Sequence, residues 1–225
     1  MIGVLLLALA FPPQPGSAPE PAEPLPREEK TGPKDWLAKF PGPQEGFMLR
    51  LQSLCTGEAY AGRVVSDDPE DEDMRAQRLI MGPARCALTD GRLASIAIPF
   101  AVGDDTSRTW MISRTASGLK LRHRHTLPDG SEDPVSRYGG VAEGGGTFTI
   151  QAFPTDAETR ALFEREGLPQ SSPNVWTLSI VPGDAFAYAM ERPGRAFRAE
   201  FDLMRPVDAR GRQAARASTD PGGTE

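Results

Sequence analysis

The two histidines of this 225-residue chain stand two positions apart, His123 and His125, in the run Gly118-Leu-Lys-Leu-Arg-His-Arg-His-Thr126. Alternation through that run puts Leu119, Leu121, His123 and His125 on one face of a strand and Lys120, Arg122 and Arg124 on the other. Proton transfer or metal ligation by an imidazole must therefore happen here, beside an apolar wall. Asp129, Asp133 and Tyr138 follow closely, and Pro128-Asp129-Gly130 turns the chain just after the histidines. In such a cluster histidine supplies the base, a carboxylate orients it and tyrosine donates a proton, which makes His123, His125, Asp129 and Tyr138 the catalytic candidates. The competing and favoured reading is an interior, hydrogen-bonded His123, a rim His125 and carboxylates that merely close a turn, because carboxylates beside histidines also occur in structural networks.

Other chemistries find less support. Cys55 and Cys86 are the whole cysteine content, and an even count fits one disulfide closing a loop of about 32 residues. A zinc site drawn from Cys55, Cys86, His123 and His125 has suitable ligand types, but structural zinc sites bring their cysteines in close pairs, so no metal is expected. The acidic run Asp67-Asp-Pro-Glu-Asp-Glu-Asp73 places Pro69 where a calcium loop needs a ligand and lacks the required glycine, so it reads as a solvated loop. Gly139-Gly140 and Gly144-Gly145-Gly146 precede a strand instead of opening a helix, which excludes a phosphate cradle. No Gly-x-Ser-x-Gly elbow occurs, and the sole asparagine, Asn174, precedes Val-Trp and is no glycosylation acceptor. No cofactor is expected.

The formal charge of -6 and the lack of a basic stripe argue against nucleic-acid binding, which rests on clustered cations that neutralise phosphates. Residues 1–10 read as a secretory signal closing on Ala8-Leu9-Ala10. No later segment is long and apolar enough to span a bilayer. Ten prolines before residue 45 make residues 11–45 a tether, with a short helix at 35–40 whose Trp36 and Phe40 plug one end of the domain. Residues 208–225 are polar and aperiodic and read as a disordered tail. The expected address is periplasmic or secreted.

Between them, residues 46–207 form one domain of short period-two segments separated by turns, which indicates antiparallel sheet. Strands are expected at Phe47–Leu51, Ala59–Val65, Arg78–Gly82, Leu93–Phe100, Thr109–Arg114, Leu119–Thr126, Thr147–Phe153, Val175–Ile180, Ala185–Met190 and Ala196–Leu203. One helix interrupts them near 155–166, with Thr155 and Glu158 as a capping box and Gly167 at its left-handed end. Eight to ten antiparallel strands dispose of their edges most completely by closing into a barrel, with a β-sandwich as the alternative.

Ser107-Arg-Thr-Trp110, the Leu121–Asp133 run, Tyr138-Gly-Gly140 and Asn174-Val-Trp176 resemble an uncharacterised family of secreted alphaproteobacterial proteins over roughly residues 45–207. The resemblance implies an exported domain and transfers no catalytic residues. On strand pattern alone the architecture is similar to lipocalin-like barrels. The leading expectation is thus a non-enzymatic barrel that binds a small apolar or amphipathic molecule, lined from Trp110, Met111, Leu121, His123, Phe148, Ile150, Trp176, Leu178, Phe186, Tyr188 and Phe201. Trp110, Leu121, His123, Trp176 and Tyr188 are its principal contacts. The alternatives are an envelope-associated domain that binds a protein partner and has no ligand cavity, and an enzyme using His123 and His125.

Overall fold

Period-two alternation from Ala59 to Val207 becomes eleven antiparallel strands in the computed structural model, which describes residues 42–208. The export signal, the tether up to residue 41 with its helix at 35–40, and the tail from residue 209 lie outside the described residues. A helix comes first, α1 (Gly42–Leu51), followed by β1 (Ala59–Val64), α2 (Glu72–Arg75), β2 (Leu79–Met81), β3 (Arg85–Thr89), β4 (Arg92–Val102), β5 (Asp105–Thr115) and β6 (Gly118–His125). Then come β7 (Tyr138–Val141), β8 (Ile150–Pro154), α3 (Ala157–Arg165), β9 (Val175–Val181), β10 (Ala185–Arg192) and β11 (Arg195–Val207). The strands form one nearly closed, barrel-shaped sheet in the order β7-β6-β5-β4-β2-β1-β11-β10-β9-β8, with β3 paired to β4 off this path.

The two end strands of that path, β7 and β8, meet at a glycine. Gly140 of β7 bridges Thr155, just past β8, and a Cβ on Gly140 would lie 2.0 Å from the Pro154 carbonyl oxygen. Gly139 has the same problem on its other side, 2.0 Å from the Leu121 carbonyl oxygen of β6. These glycines let three backbones converge where any side chain would hold them apart. They belong to a strand absent from the sequence expectation, hidden because half of its four residues have no side chain to show a period.

Phe47–Leu51 is helical instead of extended. Positions 47, 49 and 51 alternate, but Gln44, Phe47, Met48 and Leu51 also share a helical stripe, and all four are buried, as is Gly46. Leu49 is left 51% exposed. Pro43 in the first turn suits a helix start, and three alternating positions are too few to decide between the two periods. The apolar stripe of α1 enters the core at one end of the barrel, where Gln44 Nε2 donates to the Ala142 carbonyl (3.0 Å) and Gln52 Nε2 to that of Gly91 (3.1 Å). Cys55, just beyond, is bridged to Cys86 on β3, with the Cα atoms 5.9 Å apart.

The helix α3 packs against β7, with Phe163 buried against Tyr138. Its N-cap is Asp156, whose carboxylate accepts from the Thr159 N–H at 3.0 Å, and not Thr155. The Thr155 hydroxyl donates to the Asn174 carbonyl (2.6 Å), while Glu158 pairs with Arg122 (2.7 Å) and Lys120 (3.3 Å) on β6. Side chains with a stronger tertiary partner are not free to cap. Gly167, at φ +71°, ends this turn. Strand β8 starts three residues later than the pattern suggests because Thr147–Ile150 closes a turn, with the Thr147 N–H bonded to the Ile150 carbonyl at 2.8 Å. Among the described residues no helix is long and apolar enough to cross a membrane.

Candidate functional site

Alternation along β6 carries Leu119, Leu121 and His123 into the barrel, all essentially inaccessible, and leaves Lys120, Arg122 and Arg124 on the outer face. His123 sits across from Trp110 of β5 on one side and Tyr138 of β7 on the other. Its ring stacks on Tyr138 (centroids 4.5 Å apart, planes at 11°) and lies 5.2 Å from Trp176 of β9 and 5.6 Å from Tyr188 of β10. Nδ1 is 3.2 Å from the Tyr138 carbonyl oxygen and Nε2 is 2.8 Å from the Tyr188 hydroxyl. A carbonyl can only accept, so Nδ1 carries the proton and Nε2 accepts from Tyr188. One neutral tautomer thereby satisfies the ring, a tyrosine hydroxyl and a strand carbonyl.

Electrostatics hold the ring in that state. Complete burial, only partly offset by the Tyr138 carbonyl, depresses the His123 pKa to about 3, and His125 and Arg122 push it the same way. Burial raises the Tyr138 hydroxyl to about 12 and lifts that of Tyr188 well above its ordinary value. Both phenols therefore remain protonated donors at neutral pH.

His125 lies nearer the rim. Its Nε2 is 3.2 Å from the Tyr138 hydroxyl, its N–H donates to Ser136 Oγ (3.0 Å), and its carbonyl accepts from the Asp133 N–H (3.1 Å). Burial lowers its pKa first and Arg108 second, against opposing pulls from Asp133 and Asp105. The segment from Thr126 to Arg137 is folded back by its own side chains. Glu132 accepts from the Arg137 guanidinium (2.6 and 3.0 Å) and from Ser136 (2.9 Å). Arg137 itself adopts φ +61° while its N–H reaches the His123 carbonyl at 2.6 Å. Glu132, Ser136 and Arg137 thus position Tyr138 over His123, a role that polar loop residues do not announce in sequence.

Of the four catalytic candidates, the structure brings three together and leaves one apart. Asp129 is at an exposed turn, where its carboxylate accepts from the Ser131 N–H (2.9 Å) and hydroxyl (2.6 Å). The imidazoles are instead bonded to tyrosines, so the base-and-orienter arrangement expected of a histidine catalyst does not form around His123. Among the described residues no group of three or more His, Cys, Asp or Glu side chains could hold a metal ion.

The aromatic lining is also differently disposed. Trp110, Leu121, Trp176 and Tyr188 are buried, and they pack on one another across the barrel. Trp110 stacks on Phe100 (4.6 Å) and Tyr188 (4.7 Å) and meets Phe186 and Phe201 at 6.0 Å each. Three residues of the expected lining are elsewhere. Phe148 and Ile150 are 51% and 44% exposed, because the turn before β8 shifts where that strand begins. Met111 shares the outer face with Arg122, its register partner, since Trp110 takes the inward position.

The acidic run is occupied by an arginine. Arg195 on β11 lies 3.2 Å from both Asp68 and Glu70 and is paired with buried Asp71, which also accepts from Ser66 Oγ at 2.6 Å. That partner is more than a hundred positions away, and no local signal points to it. A surface cleft of about 310 Å³ separates the loop holding Glu132, Asp133, Ser136 and Arg137 from Glu158, Thr159, Leu162 and Arg165 on α3. Of its carboxylates, Glu132 and Glu158 are paired with Arg137 and Arg122, and Asp133 accepts from the Val135 N–H at 2.7 Å.

The chain matches no family model and no curated protein sequence. Its chemistry must therefore be argued from its own residues.

Proposed function

We propose that this is an exported, non-enzymatic domain whose barrel is a rigid support for binding an envelope protein on its outer surface. The observation that carries the reading is the inward row itself. The side chains expected to surround a ligand contact one another, and the one inward titratable ring is neutral with both nitrogens engaged. An interior ligand would have to displace those rings and break the Tyr188–His123 hydrogen bond. The disulfide supports an oxidising compartment, periplasmic or secreted.

The outer face of β8–β10 is the surface best suited to a partner. Cross-strand register aligns Ile150 with Ser179, Ala152 with Thr177, and Val181 with Ala185 on this face, while Ala187 and Ala189 of β10 are buried. None of these residues carries a charge, and Ile150 and Val181 are 44% and 48% exposed. Neighbouring faces differ, with Arg198, Glu200 and Asp202 on β11 and Lys120, Arg122 and Arg124 on β6. Depletion of charge with exposed aliphatic side chains is what an interface core requires.

A photo-crosslinker at Thr177, used in the exporting cell, is expected to give one discrete adduct that disappears on Val181→Arg. The same group at Arg165 on α3 is expected to give none. Saturable, stoichiometric quenching of the buried tryptophans by an apolar probe would instead establish an interior ligand and overturn the proposal.

A further inference from the structure

The cleft between α3 and the loop that carries Asp133 has a volume of about 310 Å³, at the small end of the range for small-molecule sites. Its helical wall is ordered by charge. Glu158, Leu162 and Arg165 line it at spacings of four and three residues, so they share one face of α3. An acid stands at the start of that row, an aliphatic side chain in the middle and a base at the end. With a rise of about 1.5 Å per residue, Glu158 and Arg165 are set about 10 Å apart along the helix axis.

Some polar atoms of the cleft are engaged within the protein and others are not. Both oxygens of Glu132 accept from Arg137, and one also accepts from Ser136 Oγ, so that group is satisfied. Asp133 accepts the Val135 N–H through Oδ1 alone, and Glu158 takes Arg122 and Lys120 on Oε2 alone. The Arg165 guanidinium donates to Glu166 through Nε, and its side chain is 65% exposed. Asp133 Oδ2, Glu158 Oε1 and the two Nη atoms of Arg165 therefore have no hydrogen-bond partner among the described residues, and they belong to side chains that line one space. A simple cation entering it would meet Arg165, and a simple anion would meet Asp133 and Glu158. A molecule with an ammonium group at one end and a carboxylate at the other suits both. The two charged groups of a single α-amino acid hang from one carbon, whereas an extended peptide of three residues spans about 10 Å. We propose that this cleft binds a short peptide with both termini free, its ammonium group on Asp133 and Glu158, its carboxylate on Arg165 and its middle against Leu162 and Pro134. The site is separate from the partner face on β8–β10 and does not depend on it.

Isothermal titration calorimetry of the full chain with trialanine is expected to show saturable single-site binding in the millimolar range, weak because each charge pair stays open to water. Acetylating the amino end or amidating the carboxyl end should each weaken it about fivefold. Asp133→Asn removes the charge but keeps an acceptor for the Val135 N–H, and Arg165→Gln alters an exposed side chain. Both variants should retain the native circular dichroism and lose about fivefold in affinity. Absence of saturable heat with trialanine at about 10 mM would overturn the proposal. Free alanine or the doubly blocked peptide binding as tightly as trialanine would overturn it too. So would unchanged affinity in the Arg165→Gln variant, whether or not Asp133→Asn folds.

Discussion

Replacing His123 by phenylalanine tests whether the buried imidazole is a structural, permanently neutral residue. In the folded protein its pKa is depressed to about 3, against about 6.5 in an unfolded chain. Below pH 6.5 the unfolded state therefore binds a proton that the folded state refuses. The depressed pKa thus favours the folded state above pH 6.5, and that stability is lost as pH falls toward 3. Integrating one proton between those limits gives a loss of about 2.5 kcal/mol from pH 7 to pH 4.5. The lowered pKa of His125 and of carboxylates such as Asp156 and Glu132 acts in the same direction, so the total for the native chain is not diagnostic. The difference between native and variant isolates His123.

At pH 8 the phenylalanine strands the Tyr188 hydroxyl and the Tyr138 carbonyl, each now without its partner, at about 1 to 3 kcal/mol per group. The variant should be less stable there by roughly that amount. On acidification it lacks the His123 proton linkage, so the two stability curves should converge by about 2.5 kcal/mol at pH 4.5. Urea unfolding at four or five pH values, followed by near-ultraviolet circular dichroism, measures this directly. Parallel curves across the range would refute the argument, since they would mean that the ring takes up its proton equally in both states.

Two further outcomes follow from the frame around that ring. Replacing both Cys55 and Cys86 by serine opens a loop with a sequence separation of 31 and should lower stability by about 3 to 4 kcal/mol on the chain-entropy argument, read as a drop in urea midpoint with retained strand signal. Gly140→Ala forces a methyl group onto the Pro154 carbonyl and should cost more than about 2 kcal/mol. Amide hydrogen exchange should then rise first in β7 and β8, and a variant as protected there as the native chain would contradict the seam described for these strands.

Much of the barrel was readable because its strands alternate cleanly and their turns are marked by glycine, aspartate and proline. Trp176, Leu178 and Ile180 in β9 and Phe186 and Tyr188 in β10 are inward as their spacing requires. Failures fall where local pattern is silent or ambiguous. Phe47–Leu51 satisfies two periods, and tertiary burial of Gln44, Phe47, Met48 and Leu51 selects the helical one. Tyr138–Val141 carries too few side chains to register as a strand, and what makes it one is the approach of β6 and β8 on either side. The histidine face was legible, since β6 needs only its period of two. Tyr138 was within reach of sequence reasoning, but the hydrogen bond to Tyr188 was not, because that residue is 65 positions away in sequence and only the order of strands brings it across the barrel.

That order also bears on where recognition can occur. A barrel that binds in its interior keeps inward polar atoms uncommitted until the ligand arrives, so that they can discriminate among ligands. Here the Tyr188 hydroxyl, both nitrogens of His123 and the Tyr138 hydroxyl have partners within the wall. An apolar guest could gain only by replacing ring-on-ring contacts that already exist, which is an exchange of like for like. On the outer face of β8–β10 the balance is different, because Ile150 and Val181 still face water and their removal from it contributes about 25 cal/mol per Å². On the proposed reading the free energy available for binding lies outside the barrel, and the interior histidine would serve recognition only indirectly, by tying together the strands that carry Tyr138 and Tyr188.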